Sequence, residues 1–150
     1  MSIELIKQIR EETGIGLAEI KKALEDAGGD LVKAKEILRK SGSLKAQKRA
    51  GRQANQGVIE VYSHAGKLGV LVEVNCETDF VAKNNEFKDF AHNIALQIAA
   101  MRPADIKELL EQEYIKDQSK KIQELLDEII SKTGEKVEIK RFCLFELGIE

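Results

Sequence analysis

The segment Val72-Glu-Val-Asn-Cys-Glu-Thr-Asp-Phe-Val81 decides how the chain is read, because an alternation with the period of a β-strand stops there at Thr78-Asp79. Thr78 and Asp79 are good helix-capping residues. The strand is therefore expected to run into a short helical turn that carries Phe80 beside the Asp79 carboxylate. An aromatic at such a corner ordinarily tucks under its own sheet, and the sequence leaves open whether Phe80 does so or faces outward. Upstream, the same strand extends back to Leu68, and Val58-Ile-Glu-Val-Tyr62 has the same period. Between them Ser63-His-Ala-Gly-Lys67 supplies a turn, which makes the pair a hairpin. His64, in that turn, has no second ligand or nucleophile near it in sequence and is assigned no chemistry.

Downstream, Asn84 can cap a long helix whose apolar face is Phe87, Phe90, Ala91, Ile94, Ala95, Ile98 and Ala99, with Pro103 limiting its extent. That face is expected to pack on the hairpin as the centre of the core. Ile106, Leu109 and Leu110 allow a short helix in the more polar stretch from Asp105 to Gln118. Ile122, Leu125, Leu126, Ile129 and Ile130 then mark another amphipathic helix ending at Thr133-Gly134. Val137 to Leu147 reads as a last strand that joins the hairpin. The fold class is α+β: a small antiparallel sheet, of about three strands, covered by helices.

The first forty residues have a helical period instead. Ile3, Leu5, Ile6 and Ile9 mark one helix, stopped by Thr13-Gly-Ile-Gly16. Leu17, Ile20, Ala23 and Leu24 mark a second, ending at Gly28-Gly29. Asp30 caps a third, with Leu31, Ala34, Ile37 and Leu38 on one face and an end expected near Ser41-Gly42. These short helices resemble the ubiquitin-associated type of three-helix bundle, which implies a protein-binding surface formed by the first turn and the third helix. Residues 43–56, with Lys45, Lys48, Arg49 and Arg52 among alanines, read as a basic, partly helical linker. The expected organisation is thus a bundle at 1–42, a linker at 43–56 and an α+β core at 57–150.

Composition narrows the function. In 150 residues the chain has 43% hydrophobic and 33% charged residues, as in a globular protein. It shows no apolar run long enough for a membrane span and no signal-peptide layout, so a cytoplasmic location is expected. Its formal charge of -2 argues against general nucleic-acid binding. A translation-associated RNA-binding module using the basic stretch is the main rival reading, but it lacks an aromatic stacking platform. Cys76 and Cys143 have neither redox-motif nor zinc-site spacing and read as core fillers. Without a P-loop or a paired His and nucleophile, an enzyme is not expected, and neither is a cofactor or a metal.

Two long blocks resemble one known family. The first is Thr13-Gly-Ile-Gly-Leu-Ala-Glu-Ile-Lys-Lys-Ala-Leu24, followed by Gly28-Gly-Asp30 and Arg39-Lys-Ser-Gly42. The second is Gly69-Val-Leu-Val-Glu-Val-Asn-Cys-Glu-Thr-Asp-Phe-Val-Ala-Lys83. Over nearly its whole length the chain resembles bacterial elongation factor Ts, the guanine-nucleotide exchange factor for elongation factor Tu. The resemblance implies that Thr78, Asp79, Phe80 and Val81 bind the nucleotide domain of that partner, with the Phe80 ring wedging near its magnesium site. It also implies that Arg10, Leu17, Ala18 and Lys21 form a second contact. Gln97 stands where many members have histidine; its amide would still be able to hydrogen-bond the partner, though not to do what needs an imidazole. The chain lacks room for the second core module and coiled-coil hairpin of longer relatives. Its ending, Arg141-Phe-Cys-Leu-Phe-Glu-Leu-Gly148, resembles short members that pair their cores, which implies a homodimer, with the sheet edge as one means of pairing. A Cys143-to-Cys143 bridge is disfavoured in a reducing cytoplasm. Loss of exchange activity in so short a form, leaving only a binding partner of elongation factor Tu, is a further reading that Thr78-Asp79-Phe80-Val81 argues against.

Overall fold

The computed structural model describes residues 2–149, with the backbone alone at 45–48. The side chains of Lys45 and Lys48, part of the basic stretch, lie outside the described residues. Three helices open the chain: α1 (Ile3–Thr13), α2 (Leu17–Asp26) and α3 (Leu31–Arg49). Ser2 caps α1 through the N–H of Leu5, and Asp30 caps α3 through the N–H groups of Val32 and Lys33. The helices bury Ile6, Ile9, Ile20, Ala23, Leu24, Ala34 and Leu38 against one another in a cluster of their own.

The third helix does not end at Ser41-Gly42. It continues to Arg49, because tertiary contact overrides the weak helix propensity of Ser41-Gly-Ser43. Gly42 is buried, and a Cβ on it would lie 2.9 Å from Ser131 Oγ of the helix α7 (Ile122–Thr133). The small residue thus lets the two helices approach closely. One turn or two further on, the Arg49 guanidinium donates to the Ile130 carbonyl at 3.0 Å, near the negative end of the α7 dipole. The end of α3 is therefore fastened to the core.

That core begins with the hairpin of β1 (Gln56–His64) and β2 (Leu68–Cys76) and takes in β5 (Glu138–Glu146), in the antiparallel order β1-β2-β5. Being central, β2 has its inward Val70, Val72 and Val74 at most 1% exposed. They meet Phe87, Ala91, Ile94, Ala95 and Ile98 of α5 (Asn85–Met101), together with Ile129 and Ile130 of α7. Gly57 opens the sheet at φ +144°, where a Cβ would fall 2.1 Å from the Val74 carbonyl oxygen. Only glycine permits that approach. The fold is α+β, with an open sheet covered by helices on one face.

Between α5 and α7 lie α6 (Ile106–Glu111) and a small hairpin of β3 (Glu113–Tyr114) and β4 (Asp117–Lys121) that the period of the sequence does not show. Gln97 explains it. Its side-chain amide donates to the Glu113 carbonyl and to Gln112 Oε1, and its carbonyl accepts the Ile115 N–H at 2.9 Å. A polar side chain fully enclosed in the core thus anchors the hairpin, in place of an apolar pattern.

Candidate partner-binding surface

The β2 strand ends at Cys76, and Thr78 starts α4 (Asp79–Ala82), a single helical turn. Four residues are too few to hold a helix unaided; here the surroundings hold it. Thr78 Oγ1 accepts the Val81 N–H at 3.3 Å, as the N-cap position predicts. Val81 is half-buried and Ala82 buried, which seats one side of the turn on the sheet. Phe80, on the opposite side, is 83% exposed. The question left open by the sequence is answered: the ring points into solvent. Asp79 is exposed as well, and its contact with Lys83 at 3.7 Å is a surface pair of little energetic weight.

The corner has a further support that sequence reading did not supply. Glu135 reaches it from beyond the end of α7. Its Oε1 accepts the N–H groups of Glu77 and Thr78, each at 3.0 Å, and its Oε2 accepts the Thr78 hydroxyl at 2.7 Å. Gly134, at φ +72°, ends α7 in a left-handed conformation natural to glycine and turns the chain so that Glu135 faces the corner. Nothing in Thr133-Gly-Glu135 distinguishes this carboxylate from any acid after a helix, and it lies 57 residues from Thr78. On the other side, Arg52 approaches the Glu77 carboxylate at 3.5 Å. Cys76, beneath the corner, donates its thiol to the Thr78 carbonyl at 3.1 Å. Burial, and then the charge of Glu135, push that thiol up to about 11, so Cys76 stays a neutral, unreactive core residue. Cys143 is exposed, unlike the core filler expected, because it lies on the open face of the sheet.

Arg10, Leu17, Ala18 and Lys21 are all exposed. Leu17 and Lys21, four apart on α2, share a helix face, and Leu17 is 43% exposed rather than part of the bundle core. These residues and the Thr78–Val81 corner stand on separate elements, linked through the packing of α3 on α7. Gln97 differs from what the resemblance implies. It is 0% exposed and its amide is fully engaged inside, so in this conformation it has no atom with which to touch a partner; it holds residues 112–115 instead.

A cavity of about 510 Å³ lies where α1 and α3 face β4 and α7. Six of its charged lining residues are paired with one another, Lys35 with Glu12 at 2.6 Å, Lys120 with Glu128 at 2.9 Å and Arg39 near Glu124 at 3.6 Å, while Asp117 and Asp127 accept hydrogen bonds from Ser119 and Gln123. Among the described residues no group of three or more His, Cys, Asp or Glu is placed to hold a metal ion, and no helix is long and apolar enough to cross a membrane.

An aromatic held out from a braced corner, with exposed apolar and basic residues on a separate bundle, leaves the side chains of these two elements free to meet another macromolecule. The family model described as elongation factor TS matches residues 77–149. Elongation factor Ts of Thermotoga maritima is 42% identical over 192 aligned positions, covering 99% of this chain and 96% of the relative. That of Coprothermobacter proteolyticus is 43% identical over 194, covering 99% and 98%, and that of Desulforamulus reducens 40% identical over 194, covering 99% and 89%. The chain belongs to the elongation factor Ts family of translation elongation factors. The alignments are longer than its own 150 residues, so these relatives carry residues with no counterpart here.

Proposed function

We propose that the chain is a guanine-nucleotide exchange factor for elongation factor Tu and promotes GDP release during translation elongation in the cytoplasm. The observation that carries this reading is the 83% exposure of Phe80 on a corner held by hydrogen bonds. A free ring that is already oriented can enter a crevice without first reordering its own backbone, so less entropy is lost on docking. In this reading Asp79 and Phe80 enter the partner's nucleotide domain, with Thr78 and Val81 fixing their approach. The ring displaces groups that hold Mg²⁺ and phosphate, which speeds release with no bond made or broken in any substrate. Arg10, Leu17, Ala18 and Lys21 supply the second contact, Leu17 with apolar area and Lys21 with charge. By linkage, nucleotide entering the complex weakens the factor's hold by the same ratio, which ejects it.

The division into a bundle at 1–42, a linker at 43–56 whose first part is the end of α3, and a core at 57–150 forms part of this proposal, supported by the two separate apolar clusters. So does a homodimer. Ile59, Val61, Leu71 and Phe145 are 45–77% exposed, and with Cys143 they lie on the sheet face away from α5. A second copy related by a two-fold axis would cover this self-complementary apolar face. The apolar residues lie across the face rather than along an edge, which makes the face the surface of pairing. Sedimentation equilibrium should give a dimer for the natural chain and a monomer for Val61→Asp; a natural chain that is monomeric at tens of micromolar overturns the dimer.

The exchange reading is tested by loading elongation factor Tu with a fluorescent GDP analogue and chasing with unlabelled GDP. The chain should accelerate release in a saturable way. No acceleration at concentrations where binding is saturated would overturn the reading.

A further inference from the structure

We propose that Glu135 is a positioning residue for exchange: its carboxylate presets the corner from which Phe80 projects. This rests on the exchange reading above and adds to it a residue that does not itself touch the partner. The geometry is specific. Both oxygens are engaged, one with two successive backbone N–H groups and the other with the hydroxyl of the residue that caps α4. Those N–H groups belong to Glu77 and Thr78, just past the end of β2, where the sheet no longer supplies partners.

The hydroxyl is the decisive contact. Thr78 Oγ1 has one proton, and giving it to Glu135 Oε2 leaves a lone pair directed to the Val81 N–H. Glu135 therefore fixes the rotamer in which Thr78 acts as a cap, and the cap fixes a turn too short to be stable alone. Phe80 lies inside that turn. Hydrogen bonds to an ionised acceptor are about twice as strong as neutral ones, so a single side chain holds three donors in the orientation that Phe80 requires. Removing it opens no apolar core, since Glu135 is half-buried and lies beyond the Gly134 cap of α7. The freed N–H groups turn to water, and the fold remains while the corner loses its fixed direction.

The test compares the natural chain with Glu135→Ala and Glu135→Gln in the fluorescent GDP chase, run over a range of factor concentrations. Hydrogen exchange at the Glu77 and Thr78 amides is measured on the free proteins in parallel. Loss of the carboxylate is expected to lower the maximum release rate about tenfold. The half-saturation concentration should move far less, because the bundle contact is untouched. Glu135→Gln, whose carbonyl still accepts the two N–H groups but whose NH2 cannot accept the Thr78 proton, should lose nearly as much rate as Glu135→Ala; a full rate in Glu135→Gln would overturn the role given to the hydroxyl contact. Adding Glu135→Ala to Phe80→Ala should lower the rate little further, because both act through the ring. The Glu77 and Thr78 amides should exchange faster in Glu135→Ala alone. Should that variant fail to fold, Glu135→Asp keeps the charge but draws the carboxylate back by one methylene, and the same losses are expected of it. If the natural chain accelerates release and folded Glu135→Ala does so equally, the proposal is overturned and the exchange reading stands. If the natural chain does not accelerate release, the exchange reading and the role of Glu135 in exchange fail together, and the amide data show separately whether Glu135 orders the corner.

Discussion

Truncating Phe80 to alanine should leave the fold alone and disable the activity, and the two halves of that statement have separate magnitudes. With the ring 83% exposed, its removal from the free protein loses little packing. The change in unfolding free energy should stay within about 0.5 kcal/mol. Docking is different. Burying a phenylalanine side chain fully yields roughly 1.5–3 kcal/mol, and nearly all of that remains to be gained when the ring enters a crevice. If this gain is realised as nucleotide leaves, the release rate should fall by a factor of about 10 to 100 in Phe80→Ala, at about 1.4 kcal/mol per tenfold. The assay is the chase of fluorescent GDP from elongation factor Tu at saturating factor, with thermal melting of both proteins alongside. Equal release rates would remove Phe80 from the mechanism. A melting point several degrees lower in the variant would show that the ring belongs to the core, and the exposure argument would fall with it.

Other substitutions test the scaffold. Gly57→Ala places a Cβ against the Val74 carbonyl in a backbone conformation that L side chains avoid; a loss of about 3 kcal/mol or more is expected, with the thermal midpoint down by roughly 10 °C. Gln97→Leu keeps volume but strands the Ile115 N–H and the Glu113 carbonyl. It should cost about 2–4 kcal/mol, with faster amide exchange concentrated in residues 113–121; an effect spread evenly over the core would contradict the anchoring role. Asp127 has its carboxyl pushed above the usual range, mainly by burial and further by the negative charges of Glu124 and Glu128, although Gln123 Nε2 donates to it at 3.0 Å. A raised folded-state pKa favours the fold while the group is protonated, and this advantage disappears as pH rises through that pKa. Asp127→Asn should therefore melt higher than the natural chain at pH 7, with the difference vanishing below the ordinary aspartate pKa of about 4. A constant difference across pH would mean that ionisation of Asp127 is not its cause.

Sequence alone determined the local structure wherever one short-range rule dominated. The alternation through Leu68–Cys76, the stripe from Phe87 to Ile98 and the caps at Asp30, Thr78 and Asn84 each follow from a few neighbouring residues, because period and capping act within a turn or two of chain. The blocks around Gly14 and Asp79 were legible in the same way and carried the family. Tertiary structure decided what depends on residues far apart. Serine and glycine at 41–43 suggest a helix end until Ser131 and Ile130 are brought against α3, which then continues to Arg49. Gln97, whose type suggests a surface group, is enclosed because three partners in residues 112–115 satisfy its amide. The exposure of Phe80 likewise follows from Val81 and Ala82 taking the inward side of α4, and its bracing by Glu135 crosses 57 residues. Hydrogen bonds at such separations leave no period in the sequence, since a carboxylate after a helix can face any direction until the helix itself is packed.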